Sequence, residues 1–223
     1  MSRIAITLAA LALLAAPAFA EPDPLEQQAI DIAAKLGGKA VVDVKLEESA
    51  RVAIMLDFAT DPMLLLLCKQ PCIGGIVIDD ASKCTEKGYV ALKELPNLQK
   101  LVLGKSAITD KGIAAVGSIR PIQLLYLGEA KISDTGLAGL VKMKNLHTLD
   151  LYEAKITDKG LPHLAALVKL EELNLSGTKV TDKGIETLAT LVNLKLLRLN
   201  RTDVTRTGVS KLETALPKAT IRW

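Results

Sequence analysis

Few residues in this chain have chemistry to offer: two histidines, three cysteines and an aspartate that keeps returning. General base catalysis or a histidine metal site needs a partner group within hydrogen-bond reach of the imidazole. His147 precedes a strand-like run and His163 lies on a helical one, so neither supplies the other's partner. Cys68 and Cys72 are one residue too far apart for a C-x-x-C redox pair, and no histidine lies close by to complete a zinc set. Asp110, Asp134, Asp158 and Asp182 recur every 24 residues, a carboxylate ladder that could hold calcium. Lys111, Lys159 and Lys183 sit beside three of the four and argue against a cation there. Gly74-Gly75 is too short for a phosphate-cradling loop. The expectation is a chain with no catalytic residue, no metal and no cofactor. The aspartates then read as first-turn residues favoured by the helix dipole.

The elements that must carry these residues follow from one spacing. Leu98, Leu101 and Leu103 recur as Ile122, Leu125 and Leu127, and again at 146, 170 and 194 with a step of 24. The last two apolar residues of each triplet alternate with polar ones, which predicts a strand. A second signal keeps the same step: Ile108-Thr109-Asp110-Lys111-Gly112, Ile132-Ser133-Asp134-Thr135-Gly136, Ile156-Thr157-Asp158-Lys159-Gly160 and Val180-Thr181-Asp182-Lys183-Gly184. Thr or Ser is placed to cap a short helix. Leu161, Leu164 and Leu167 then form one apolar stripe. Gly in the first turn costs helix stability, so its recurrence predicts a place with no room for a Cβ. One such unit cannot bury both apolar sides, so units must stack. Strands pack ~4.8 Å apart and helices ~8–10 Å apart. The stack therefore bends, with strands inside and helices outside.

These motifs resemble the leucine-rich-repeat family, in its exported bacterial variety with a T-D-x-G helix start. The resemblance implies an α/β, right-handed solenoid with a parallel sheet on its concave face and short helices on its convex face. Clear repeats run over 98–217, inside a solenoid of 59–223 that ends in a half-repeat, 218–223, with Trp223 as an apolar lid. Residues 21–58 read as a linker, Glu21–Pro24, followed by a cap. The cap holds a helix over 25–36 and a strand through Val41, Val42, Val44 and Leu46. Where the family places Asn, Cys or Thr after the strand, Ala130 and Ala154 stand in two units. A looser loop ladder is expected there.

Residues 1–20 carry Arg3, an uncharged run and Ala18-Phe19-Ala20, the layout of a secretory signal cleaved after Ala20. An uncleaved anchor is the alternative, since a run of this length is at the short end of what spans ~30 Å. Export places the chain in the periplasm or outside the cell, with no stable membrane insertion after cleavage. In that oxidising setting Cys68, Cys72 and Cys84 become disulfide candidates. Cys68–Cys72 and Cys68–Cys84 are both sterically possible, with one thiol left over.

A net charge of +3 and 3% aromatics exclude a nucleic-acid surface, which needs a concentrated basic face or base-stacking rings. What remains is the inner sheet face. Alternation puts Val102, Tyr126, Asp150, Asn174 and Arg198 in one row, Lys100, Leu124, Thr148, Glu172 and Leu196 in another, and Tyr152 in a third. Tyr is enriched at recognition hot spots. The family resemblance implies protein recognition by this face. Tyr126, Asp150, Tyr152, Glu172, Asn174 and Arg198 are the expected contacts for a protein or peptide partner. A cell-envelope structural or glycan-binding role is the alternative. Seven strands offer on the order of 600 Å², less than the ~800 Å² per partner of a standard interface.

Overall fold

The computed structural model describes residues 21–43, 45–46 and 48–223; the predicted signal, residues 1–20, lies outside them. The first helix, α1 (Pro24–Lys35), starts on a reciprocal cap. The Asp23 carboxylate accepts from the N–H groups of Leu25 and Glu26, and the Glu26 side chain accepts from the N–H of Asp23 at 3.0 Å. Asp23 and Pro24, at the end of the expected linker, thus already belong to the helix start. Glu26 is buried and pairs with Arg51 at 3.0 Å, which keeps its charge compensated.

Among the described residues nine strands follow in chain order within one sheet. β1 (Lys39–Val42) is antiparallel to β2 (Val52–Thr60). All later strands run parallel: β3 (Ile73–Lys83), β4 (Lys100–Leu103), β5 (Leu124–Tyr126), β6 (Thr148–Asp150), β7 (Glu172–Asn174), β8 (Leu196–Arg198) and β9 (Thr220–Arg222). The 24-residue step becomes the register: Leu101, Leu125, Leu149, Leu173, Leu197 and Ile221 are Cα partners across the sheet. β1 stops at Val42, short of the expected Leu46. Asp43 turns the chain by accepting from the N–H groups of Lys45 and Leu46.

One apolar core runs from Ala29 to Leu216 behind the sheet, closed by short helical segments. Some are α-helical, such as Asp110–Val116, and some are 3₁₀, such as Leu161–Ala166. The stripe Leu161, Leu164, Leu167 fits the latter, because side chains three apart eclipse at three residues per turn. The loop ladder stays connected at the alanines, on slightly longer bonds. Lys131 and Lys155 donate backbone N–H bonds to the preceding unit at 3.1 and 3.2 Å, against 2.9 Å for Lys179 beside Thr178. These bonds are between backbone groups, so they form without the missing side-chain oxygens.

The recurring aspartates do more than face a helix dipole. Each carboxylate reaches into the next unit. Asp61, Asp110, Asp134, Asp158 and Asp182 accept from the backbone N–H of Thr85, Ser133, Thr157, Thr181 and Thr205, at 2.8 Å in all five cases. The second oxygen accepts from the same residue's hydroxyl at 2.5–2.7 Å. That hydroxyl accepts in turn from the first turn of its own helix, as Thr157 does from the N–H of Lys159. The chain Asp, hydroxyl, N–H staples unit to unit with charge-assisted bonds. The Gly of the motif lies under the staple: a Cβ on Gly160 would sit 2.5 Å from Asp134 Oδ1. The exception supports the reading. Glu86 replaces the aspartate in its unit and offers only a 3.3 Å contact to the Thr109 hydroxyl. There a Cβ on Gly112 would meet Ile108 instead of a carboxylate.

Two expectations are corrected. Cys68, Cys72 and Cys84 are all free, and no disulfide joins any two. Cys84 fills the inward slot that Ile108 and Ile156 fill in other units, and the Cys72 thiol donates to the Leu25 carbonyl at 3.4 Å. Burial pushes the Cys84 thiol up to about 12 and the Cys68 thiol up to about 11, with nearby carboxylates adding to both. Trp223 is not a lid. It is 53% exposed beyond β9, and the last core positions are covered by Val209 and Leu212 of the helix Arg206–Ala215.

Candidate functional site: the open half of the sheet

The sheet face opposite the helices carries the predicted rows. Val77, Val102, Tyr126, Asp150, Asn174, Arg198 and Arg222 are Cα partners in one of them. The face is not open along its whole length. Leu46, in the turn after β1, is 5% exposed and packs with Ala53, Val77 and Val102 in a small cluster of its own. Val41, Met55, Leu124 and Tyr126 pack around it. Asp43, at the root of this turn, pairs with Lys100 of β4 at 2.6 Å. The protein's own strap therefore covers the face over β2–β4. Apolar residues there, unusual for a solvated surface, are explained by that cover. The open half starts at Tyr126.

Tyr126 is half-buried at this border. Burial raises its phenol, the Asp150 and Glu172 carboxylates raise it further, and Arg198 opposes them. Asp150 is 8% exposed. Its Oδ2 accepts from Asn174 Nδ2 at 2.8 Å and its Oδ1 from the Tyr152 N–H at 2.9 Å. Asn174 repeats the turn in its own unit, accepting from the Ser176 N–H at 3.0 Å. Both side chains thus face along the sheet and brace the residues beside them. Burial holds the Asp150 carboxyl above the usual aspartate range, against the bonds from Asn174 and Tyr152 and the charge of Arg198. A side-chain carbon NMR titration is expected to give Asp150 a midpoint above that of an ordinary aspartate. Arg198→Ala is expected to raise it further.

Tyr152 stands at the rim. The Arg201 guanidinium lies 5.3 Å from its ring centroid, donates to its hydroxyl, and donates to Glu153 Oε1 at 2.7 Å. This cluster rests on a backbone column that sequence reasoning did not foresee. Lys105, Glu129, Glu153, Gly177 and Arg201 all have positive φ, at 44°, 63°, 56°, 74° and 57°. Four side chains thus accept a conformation that costs an L-residue ~1–2 kcal/mol, because every unit must leave its strand by the same turn. At Gly177 a Cβ would lie 2.8 Å from Glu153 Cγ. Glu153 leans over that gap, and Arg201 meets it from the unit beyond.

The remaining predicted contacts, Glu172 and Arg198, are half-exposed on β7 and β8. The structure thus brings Tyr126, Tyr152, Glu172, Asn174 and Arg198 onto one surface, with Asp150 buried among them as a brace. Sequence reasoning missed Arg222, whose signal was its spacing of 24 from Arg198. His147 has its Nδ1 buried without a partner, and His163 lies on the convex side within Leu161–Ala166. Among the described residues no group of three His, Cys, Asp or Glu is placed to hold a metal ion.

The description "Leucine Rich repeat" fits two stretches by family model, residues 94–117 and 166–189. No curated protein matches the chain in sequence. Among solved structures, an internalin C2 of Listeria monocytogenes is similar at TM-score 0.60 and 22% identity, over 92% of this chain and 88% of that one. Another internalin of the same organism is similar at TM-score 0.55 and 20% identity, over 90% of this chain. The chain spans 58% of that protein's length. At this identity the likeness speaks for the fold. Repeat, register and fold agree: the chain folds as a leucine-rich-repeat solenoid, and the family's repeat is matched over those two stretches.

Proposed function

We propose that this is an exported, non-enzymatic binding module that recognises a protein or peptide partner on the open half of its concave face. The fold is one commonly used for protein–protein interaction. The observation that carries the reading is the placement of Tyr126 on β5 and Tyr152 in the turn just after the neighbouring β6, each half-exposed among charges of both signs. Rigid amphipathic rings on a polar surface are what hot spots are made of. Export rests on residues 1–20. Among the described residues no helix is long and apolar enough to cross a membrane. With β2–β4 covered, five strands remain, on the order of 500 Å² of face. That area suits an extended segment of a partner better than a broad globular surface, which takes ~800 Å².

The test is capture of a partner by the mature chain from the exporting cell. Tyr126→Ala combined with Tyr152→Ala is expected to lower capture about tenfold or more, as loss of hot-spot aromatics does. The chain stays folded, with a small drop in melting temperature because Tyr126 packs against the cluster around Leu46. Lys211→Ala, on the convex helix, is the control and leaves capture unchanged. Capture that survives the double change refutes the concave-face reading, and retention on purified cell wall alone favours the glycan role.

A further inference from the structure

Arg198 and Arg222 are Cα partners on the parallel strands β8 and β9, so their side chains leave the same face one strand spacing apart. Like charges in directly opposed positions destabilise a sheet. Here nothing offsets the cost. Among the described residues neither guanidinium makes an ion pair, although Lys100, Lys195, Arg51 and Arg201 all do. Arg198 acts electrostatically on Asp150, but that carboxylate is buried and already engaged by Asn174 and Tyr152. Arg222 is exposed and Arg198 half-exposed. Two donor forks therefore stand side by side facing solvent, the geometry that receives a carboxylate bidentately.

We propose that this pair is a carboxylate-binding subsite, and that the partner of the concave face is an acidic peptide segment whose carboxylates lie over β8–β9, clear of Glu172. The inference rests on the binding role proposed above and names the partner's chemistry. The surroundings fit a peptide. Half-exposed Leu196 supplies apolar contact, and the exposed amide of Asn200 supplies hydrogen bonding. They do not fit a polyanion. Glu172 on β7 and Glu153 at the rim bound the positive patch and repel a phosphate backbone run along the face.

The probe is a fluorescein-labelled eight-residue peptide of alternating leucine and glutamate, read by anisotropy against its glutamine counterpart. The glutamate peptide is expected to bind at low salt and to weaken as salt rises. The glutamine peptide is expected to bind about tenfold or more weakly. Arg198→Glu and Arg222→Glu each abolish binding, and a leucine–lysine peptide then binds the chain that carries both changes. Arg222→Glu does not lower the melting temperature, because it turns a like-charge pair into an opposite one. Equal binding of both peptides, or charge reversals without effect, overturns the subsite. So does a short oligonucleotide that binds as tightly as the acidic peptide. Should the peptide fail while tyrosine-dependent capture stands, only this inference falls. Should capture ignore the tyrosines while the peptide still binds at the arginines, the broader reading falls instead.

Discussion

Gly160→Ala is expected to destabilise the chain by about 3 kcal/mol, read as a lower denaturant midpoint at unchanged slope. Helix propensity alone points the other way, since Ala is favoured over Gly by ~1 kcal/mol within a helix. The contact decides the sign. The new Cβ would lie 2.5 Å from Asp134 Oδ1, 3.0 Å from Leu137 Cδ1 and 3.1 Å from Asp134 Cα. Such crowding typically costs ~1–3 kcal/mol. The displaced carboxylate also releases the N–H and hydroxyl of Thr157, bonds to a charged group worth ~1.5–3 kcal/mol. A second variant separates the two effects. In an Asp134→Ala background much of the cost of Gly160→Ala disappears, because the oxygen it would strike is gone. Additive losses in that cycle would refute the staple as the reason for the glycine.

Leu149→Ala is the other large expectation, at about 3–4 kcal/mol for a leucine emptied from a tight core. Leu149 is 1% exposed and stands in register between Leu125 and Leu173. The loss does not spread evenly. In a stacked fold each unit touches only its neighbours, so a weak middle unit uncouples the two ends. The unfolding transition is expected to broaden and lose slope as well as move to lower denaturant. A sharp, merely displaced transition would mean that the nine-strand sheet still melts as one body.

The fold could be read early because one spacing sets both helix and strand periodicity in every unit. Leu125, Leu149 and Leu173 announce the register before any contact is known. The staple was half legible. Thr157 and Asp158 were read inside a single unit, as cap and dipole partner. The bond that matters joins Asp158 to Thr181, a relation visible only once units are placed side by side. Leu46 was not legible at all. It belongs to a turn with no period, and its covering of Val77 and Val102 is a tertiary event. The same cause misplaced the cysteines. A count of thiols cannot show that Cys84 occupies an isoleucine's slot. Trp223 was misread because an apolar residue at a chain's last strand looks like a cover, and whether it folds back is decided by packing. Of the candidate site, Tyr126, Tyr152, Glu172 and Arg198 followed from strand alternation. The partial burial of Asp150 did not, since it depends on the Asn174 amide and the Tyr152 N–H closing over it.

The thiol that replaces an isoleucine has a consequence at the other end of the molecule. Cys84 is buried in an early unit with its proton held tightly, while the chain's single tryptophan, Trp223, lies beyond the final strand. Alkylation of Cys84 registers only when the early units open, and indole emission follows the late ones. The protein thus carries two native reporters, one per terminus, through which unzipping from either side can be told from simultaneous collapse.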